Sequence, residues 1–181
     1  MKGIIITIVV SILLIAGLVF VAGSKNRSAD NLANLQIEGV QEYERPDRAH
    51  TEEDVDYELS PPVGGPHDPI WLDCNASIYD EEVRNENAVH ALEHGAVWIT
   101  YNSSTTPEQI DTLKSKVRGY TFMSPYETQP STIMLTAWGH QLSLDSADDE
   151  RVDLFLQKFR QGAQTPEPGA TCFATDTGVM N

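Results

Sequence analysis

The densest chemistry in the sequence is the run His90-Ala91-Leu92-Glu93-His94. On a helix, residues four apart share a face, so the imidazoles of His90 and His94 can reach one metal ion together. Glu93, beside them, can orient a ring or accept a proton. His67 follows Pro61-Pro62-Val63-Gly64-Gly65-Pro66, a segment too rich in proline and glycine for a helix or a central strand. A stiff turn of that kind aims a side chain at a fixed point. The expected first ligands are therefore His67, His90 and His94. His50 or Met123 would complete the set, with Glu93 supporting it from outside. A thioether donor such as Met123 or Met134 would favour copper(I), whereas imidazoles suit zinc as well as copper. In the competing arrangement one histidine packs in the core, the other interacts with the dipole at a helix C-terminus, and the methionines fill the core.

His90–His94 also fits the H-x-x-E-H pattern of inverted zinc peptidases. Hydrolysis would need three protein ligands, an open coordination position and a general base, with a further carboxylate from Glu150 or Glu167. Gly95 ends the helix directly after His94, and the domain is small for a peptidase cleft. The sequence has no G-x-S-x-G elbow, no P-loop and no G-x-G-x-x-G. Catalytic residues are therefore not assigned. A formal net charge of -15 repels phosphate backbones and excludes nucleic acid as a partner, while favouring cations near the surface.

The elements that must position these residues can be read from periodicity. Asn85 or Asn87 caps a short helix that carries the histidines, and Ala96–Tyr101 is a β-branched, aromatic strand. Thr106-Pro107 with Gln109 opens a second helix, whose apolar face is Ile110, Leu113 and Val117. Strands follow at Tyr120–Ser124, Thr132–Trp138 and Gln141–Leu144. Ser146 then caps a helix striped with Val152, Phe155, Leu156 and Phe159. Consecutive, closely linked strands predict an α+β domain whose mainly antiparallel sheet is packed by two or three helices.

Residues 4–22 carry no charged side chain. As a helix this stretch would reach about 28 Å, near the thickness of a bilayer core. A cleaved signal peptide is the competing assignment, but the apolar run exceeds the roughly 7–15 residues of a signal core. The expected organisation is a transmembrane anchor over 1–23, an acidic flexible tether over 24–56, and a domain over 57–181. Basic residues flank both ends of the apolar run, so charge does not orient it. The two cysteines orient it better. Cys74 and Cys172 are far apart, have no CxxC spacing, and would pair in an oxidising compartment, which places the domain outside the cytoplasm.

PPVGGPH (Pro61–His67), W-x-x-C (Trp71–Cys74), ENAVHALEHGAVWITY (Glu86–Tyr101), FMSPY (Phe122–Tyr126), AWG (Ala137–Gly139) and TPEPGATC (Thr165–Cys172) occur in that order. Together they resemble the domain of unknown function 3105 family, found mostly in actinobacterial membrane-anchored proteins. The resemblance spans roughly His50 to Cys172 and implies an N-terminal anchor with an exported domain. It puts His50, His67, His90, His94 and Met123 on positions of the family pattern, leaves His140 outside it, and inclines the choice of metal towards copper. The expected function is a membrane-anchored, extracytoplasmic metal-binding protein holding copper or zinc, in or near a membrane protein complex. The alternatives are an accessory subunit of such a complex with structural histidines and, behind it, a metallohydrolase.

Overall fold

The structure, a computed structural model, describes residue 32 and residues 34–44 and 47–174. The expected anchor lies outside the described residues. Among the described residues no helix is long and apolar enough to cross a membrane.

The elements run β1 (Gln41–Glu42), β2 (Asn75–Ile78), α1 (Asn85–Glu93), β3 (Val97–Tyr101), α2 (Pro107–Lys116), β4 (Thr121–Pro125), β5 (Ile133–Ala137), β6 (His140–Leu144) and α3 (Glu150–Phe159). One six-stranded sheet has the order β1-β6-β5-β3-β4-β2. The fold is α+β, but the sheet is mixed rather than mainly antiparallel. β3 and β2 both pair with β4 in parallel, while β1–β6, β5–β6 and β3–β5 are antiparallel. The helices cause this. α1 and α2 occupy the connections β2-to-β3 and β3-to-β4, and a helix between strands of one sheet returns the chain to the same end, making the strands parallel.

Right-handed crossovers place α1 and α2 on opposite faces, because the two connections advance across the sheet in opposite directions. Over α1 lies an aromatic core. Trp98 stacks on Phe122 with ring centroids 5.5 Å apart, Tyr126 meets Trp98 edge-on, and Ala88, Val89, Ala91 and Leu92 close the layer. Strand alternation turns Ile99, Met123 and Leu135 to the other face. Buried residues of α2 and α3, Leu113, Val152, Phe155 and Phe159, belong to those two helices, which Lys116 ties together through Asp153 at 2.9 Å.

Capping holds where side chains commit to it. The Thr106 hydroxyl accepts from Gln109 N at 3.3 Å, with Pro107 in the first helical position. α3 starts later than Ser146. Asp149 is its cap, accepting from Arg151 N at 2.9 Å, while Ser146 closes the preceding turn on Asp148. α1 begins at Arg84 with no side-chain cap, so neither Asn85 nor Asn87 performs that role. Gly95 ends α1 at a φ of 91°, and a side chain there would press on Gln161 and Thr165 at about 2.8 Å.

The expected tether also differs. The compact unit starts at Ile37. β1 pairs with the edge of β6, Ala49 and Thr51 bond to His67, and Val55 N donates to Glu86 Oε1 at 2.8 Å. The segment is polar because it binds through its backbone, and hydropathy does not register such contacts.

Cys74 and Cys172 form a disulfide spanning 98 residues. Cys74 N donates to the Cys172 carbonyl at 3.0 Å, so the bridge and a backbone bond fasten the tail beside β2. Replacing both cysteines by serine is expected to cost about 4–5 kcal/mol by loop entropy. Urea unfolding of the oxidised proteins measures this, and equal midpoints would refute it.

Candidate metal centre

α1 is buried on nearly every side, including its polar residues Glu86, His90, Glu93 and His94. Its apolar side meets the aromatic core, and its polar side meets the Pro/Gly turn and residues 48–55. That turn is held at several points. Gly139 N donates to the Val63 carbonyl at 2.8 Å, the Tyr57 hydroxyl to the Pro66 carbonyl at 2.6 Å, and Asn87 Nδ2 to the Ile70 carbonyl at 2.6 Å. Arg84 clamps the carboxylate of Asp68 and also meets Glu86 at 3.2 Å.

These constraints set the tautomers. His67 Nδ1 lies 2.8 Å from the Gly65 carbonyl, and His90 Nδ1 lies 2.6 Å from the Asp68 carbonyl. A carbonyl only accepts, so each Nδ1 carries a hydrogen, and in the neutral ring each Nε2 is left with the lone pair. This is the arrangement in which a backbone acceptor fixes a metal-binding imidazole. His50 joins through the backbone: His67 N donates to the Ala49 carbonyl at 3.0 Å, and Thr51 N to the His67 carbonyl at 2.8 Å. The rings of His50, His67 and His90 have centroids 4.9–5.1 Å apart.

Donor atoms of His50, His67, His90 and Glu93 all lie within 4.8 Å of one another. Ligands of a four-coordinate zinc ion are about 3.4 Å apart, so a pair at that 4.8 Å limit closes by about 1.4 Å on binding. Exposed His50 has the freedom to make that movement. Glu93 therefore stands among the donors rather than outside them. Its Oε2 is 3.0 Å from His67 Nε2, and its Oε1 is 3.6 Å from Arg48 Nε. Apart from this ion-pair contact, the buried His67 nitrogen has no hydrogen-bond partner. Two electron-pair donors at 3.0 Å repel unless a cation lies between them: a proton or a metal ion. The residues present thus fit a metal.

Titration follows the same geometry. Burial would depress His67, but Glu93 and the Gly65 carbonyl outweigh it and raise the pKa. Burial would raise Glu93, yet His67 and Arg48 hold it below the usual carboxylate value. Burial is the main cause that lowers His90 to about 4, against its bond to Asp68 and with help from the neighbouring histidines.

Two expected ligands fall outside the cluster. His94 is turned away by its Nδ1 bond to the Thr171 carbonyl at 2.8 Å, although its ring lies 4.7 Å from that of His90. Met123 faces the opposite side of the sheet, where strand alternation sends it with Ile99. His140, the first residue of β6, packs on Phe159 and is not among the clustered donors. Sequence reasoning missed Arg48, Asp68, Arg84 and Trp138, whose indole meets His67 edge-on at 6.0 Å. Of these only Asp68, next to His67, carried any local signal. A cleft of ≈ 530 Å³ shares Arg48 and Trp138 with the cluster.

Residues 49–174 match the family described as Protein of unknown function (DUF3105). The chain belongs to this family. The matched stretch contains His50, His67, His90, Glu93 and both cysteines, so the cluster and the disulfide belong to the family domain. No curated protein and no solved structure matches the chain.

Stability of the metal-free protein should register His90. Its folded pKa is below 6.5, so the unfolded chain binds a proton that the folded chain refuses between pH 6.5 and about 4, and stability falls as pH falls through that window. His67 acts oppositely: its contribution is fully present below 6.5 and is lost as pH rises through its raised pKa. In His90→Gln the acid-side decline should be shallower than in the wild type. Denaturant midpoints measured across pH 7 to 4.5 test this, and parallel profiles would contradict it.

Proposed function

We propose that this chain is a metal-binding protein that holds a divalent transition-metal ion through His50, His67, His90 and Glu93. The observation that carries this reading is the convergence of donor atoms from His50, His67, His90 and Glu93 within 4.8 Å of one another, with the buried His67 Nε2 facing the Glu93 carboxylate at 3.0 Å. Three imidazoles and a carboxylate suit zinc or copper(II). Met123 lies on the far face and does not join this set. In this reading Glu93 is a ligand and is not free to act as the base of a hydrolase, and the protein holds or passes on its ion.

The location forms part of the proposal. The apolar stretch over 4–22 supports membrane anchoring, and a disulfide supports an oxidising, extracytoplasmic setting. A role in a membrane protein complex follows as a proposed context, since an ion held there would be exchanged at a membrane surface.

The purified full-length chain is expected to bind one equivalent of zinc(II) or copper(II) in calorimetric titration. His67→Ala or His90→Ala should weaken binding by about 100-fold, whereas Met123→Leu should leave it unchanged. At a free ion concentration about 100 times the Kd, the wild type gains about 2.7 kcal/mol of stability. Absence of binding, or equal affinity in His67→Ala, would remove this reading and favour histidines that serve only the fold of an accessory subunit.

A further inference from the structure

His94 stands outside the donor cluster, yet it is prepared as a ligand. Its Nδ1 is committed to the Thr171 carbonyl at 2.8 Å, so its Nε2 carries a lone pair. That nitrogen faces Glu167 Oε2 at 3.7 Å. The separation is too long for a hydrogen bond and close to the roughly 3.4 Å between neighbouring ligands of a four-coordinate ion. The two residues differ in access: the imidazole side chain is 5% exposed and the carboxylate 50%.

Their placement is fixed by the backbone of α1 and by the C-terminal tail. Glu167 N donates to the Glu93 carbonyl at 3.2 Å, and the tail that carries Glu167 and Thr171 is fastened by the disulfide at Cys172. The His94 ring lies 4.7 Å from that of His90, on the same side of α1, and the Trp71 ring covers both at 4.9 and 5.6 Å. A path of electron-pair donors therefore leads from buried His90 through His94 to a half-exposed carboxylate.

We infer that His94 and Glu167 form a second, outward-facing position for a divalent transition-metal ion, which it reaches from the first site by ligand exchange. This rests on the metal-binding reading above. In the step the ion gives up His90 Nε2 and its other cluster ligands, and takes on His94 Nε2 and a Glu167 oxygen. No electron moves, no proton is needed because both new donors present lone pairs, and the ion leaves with its charge unchanged. Water or an acceptor then reaches it at Glu167.

The test uses the full-length chain loaded with one equivalent of zinc(II), mixed rapidly with an excess of a chromogenic chelator. Glu167→Gln alters a half-exposed side chain and carries the test even if His94→Ala folds poorly. The expected result is an equilibrium affinity close to that of the wild type with transfer slowed by about tenfold. An unchanged transfer rate would overturn the inference. So would a loss of affinity equal to that of His67→Ala, which would make these residues part of the first site. Tight zinc binding with a transfer rate indifferent to Glu167 would leave the proposed function standing and remove this inference alone. A wild type that binds no zinc would remove both.

Discussion

The bond from His90 Nδ1 to the carbonyl of Asp68 is the contact on which the rest of the site depends. It joins the polar side of α1 to the Pro/Gly turn, and so sets His67 and His90 against each other. Asp68 is in turn held by Arg84, and the turn by Tyr57, Asn87 and Gly139. A helix buried on both sides would ordinarily leave polar groups stranded. Here Glu86, Asn87, His90 and Glu93 each have a defined partner, in Val55 N, the Ile70 carbonyl, the Asp68 carbonyl and His67 with Arg48.

This explains why the N-terminal part of the domain is polar and still ordered. Residues 47–55 cover the carboxylates and imidazoles of α1, so apolar side chains would be out of place there. They attach through backbone bonds at Ala49, Thr51 and Val55 and through Arg48 at Glu93. Opposite charges and imidazoles thus do in this layer what Trp98 and Phe122 do on the sheet side.

Much of this was legible in the sequence. The strands rich in β-branched and aromatic residues, the Thr106-Pro107 start and the Phe155 stripe stand out because burial and capping leave local marks. β2 did not, since Asn75-Ala76-Ser77-Ile78 is a weak strand sequence and Ala76 adopts a φ of 65° within a bulged register. β1 is two exposed residues with no apolar side chain to mark them. His90 and Glu93 were legible by helical spacing and His67 by its turn. What spacing could not supply was the direction of His94, set by a carbonyl 77 residues away, or the face of Met123, set by strand register. Helical periodicity names neighbours on one surface, whereas ligand choice depends on which ring nitrogen a distant backbone atom claims.

The seam between the N-terminal segment and the domain has a mechanical meaning. β1 contributes two residues of pairing to β6, Tyr43 N donates to the Gly139 carbonyl at 2.9 Å, Arg48 meets Glu93, and the pair of backbone bonds around His50 follows. A pull on the chain from its N-terminal side would peel β1 and Tyr43 first and load Arg48 and the His50 bridge next, before β3, β4 or β5. Of the four clustered donors, His50 is thus the first to be drawn away under tension, so any load on residues 41–50 bears on how firmly the cluster stays closed.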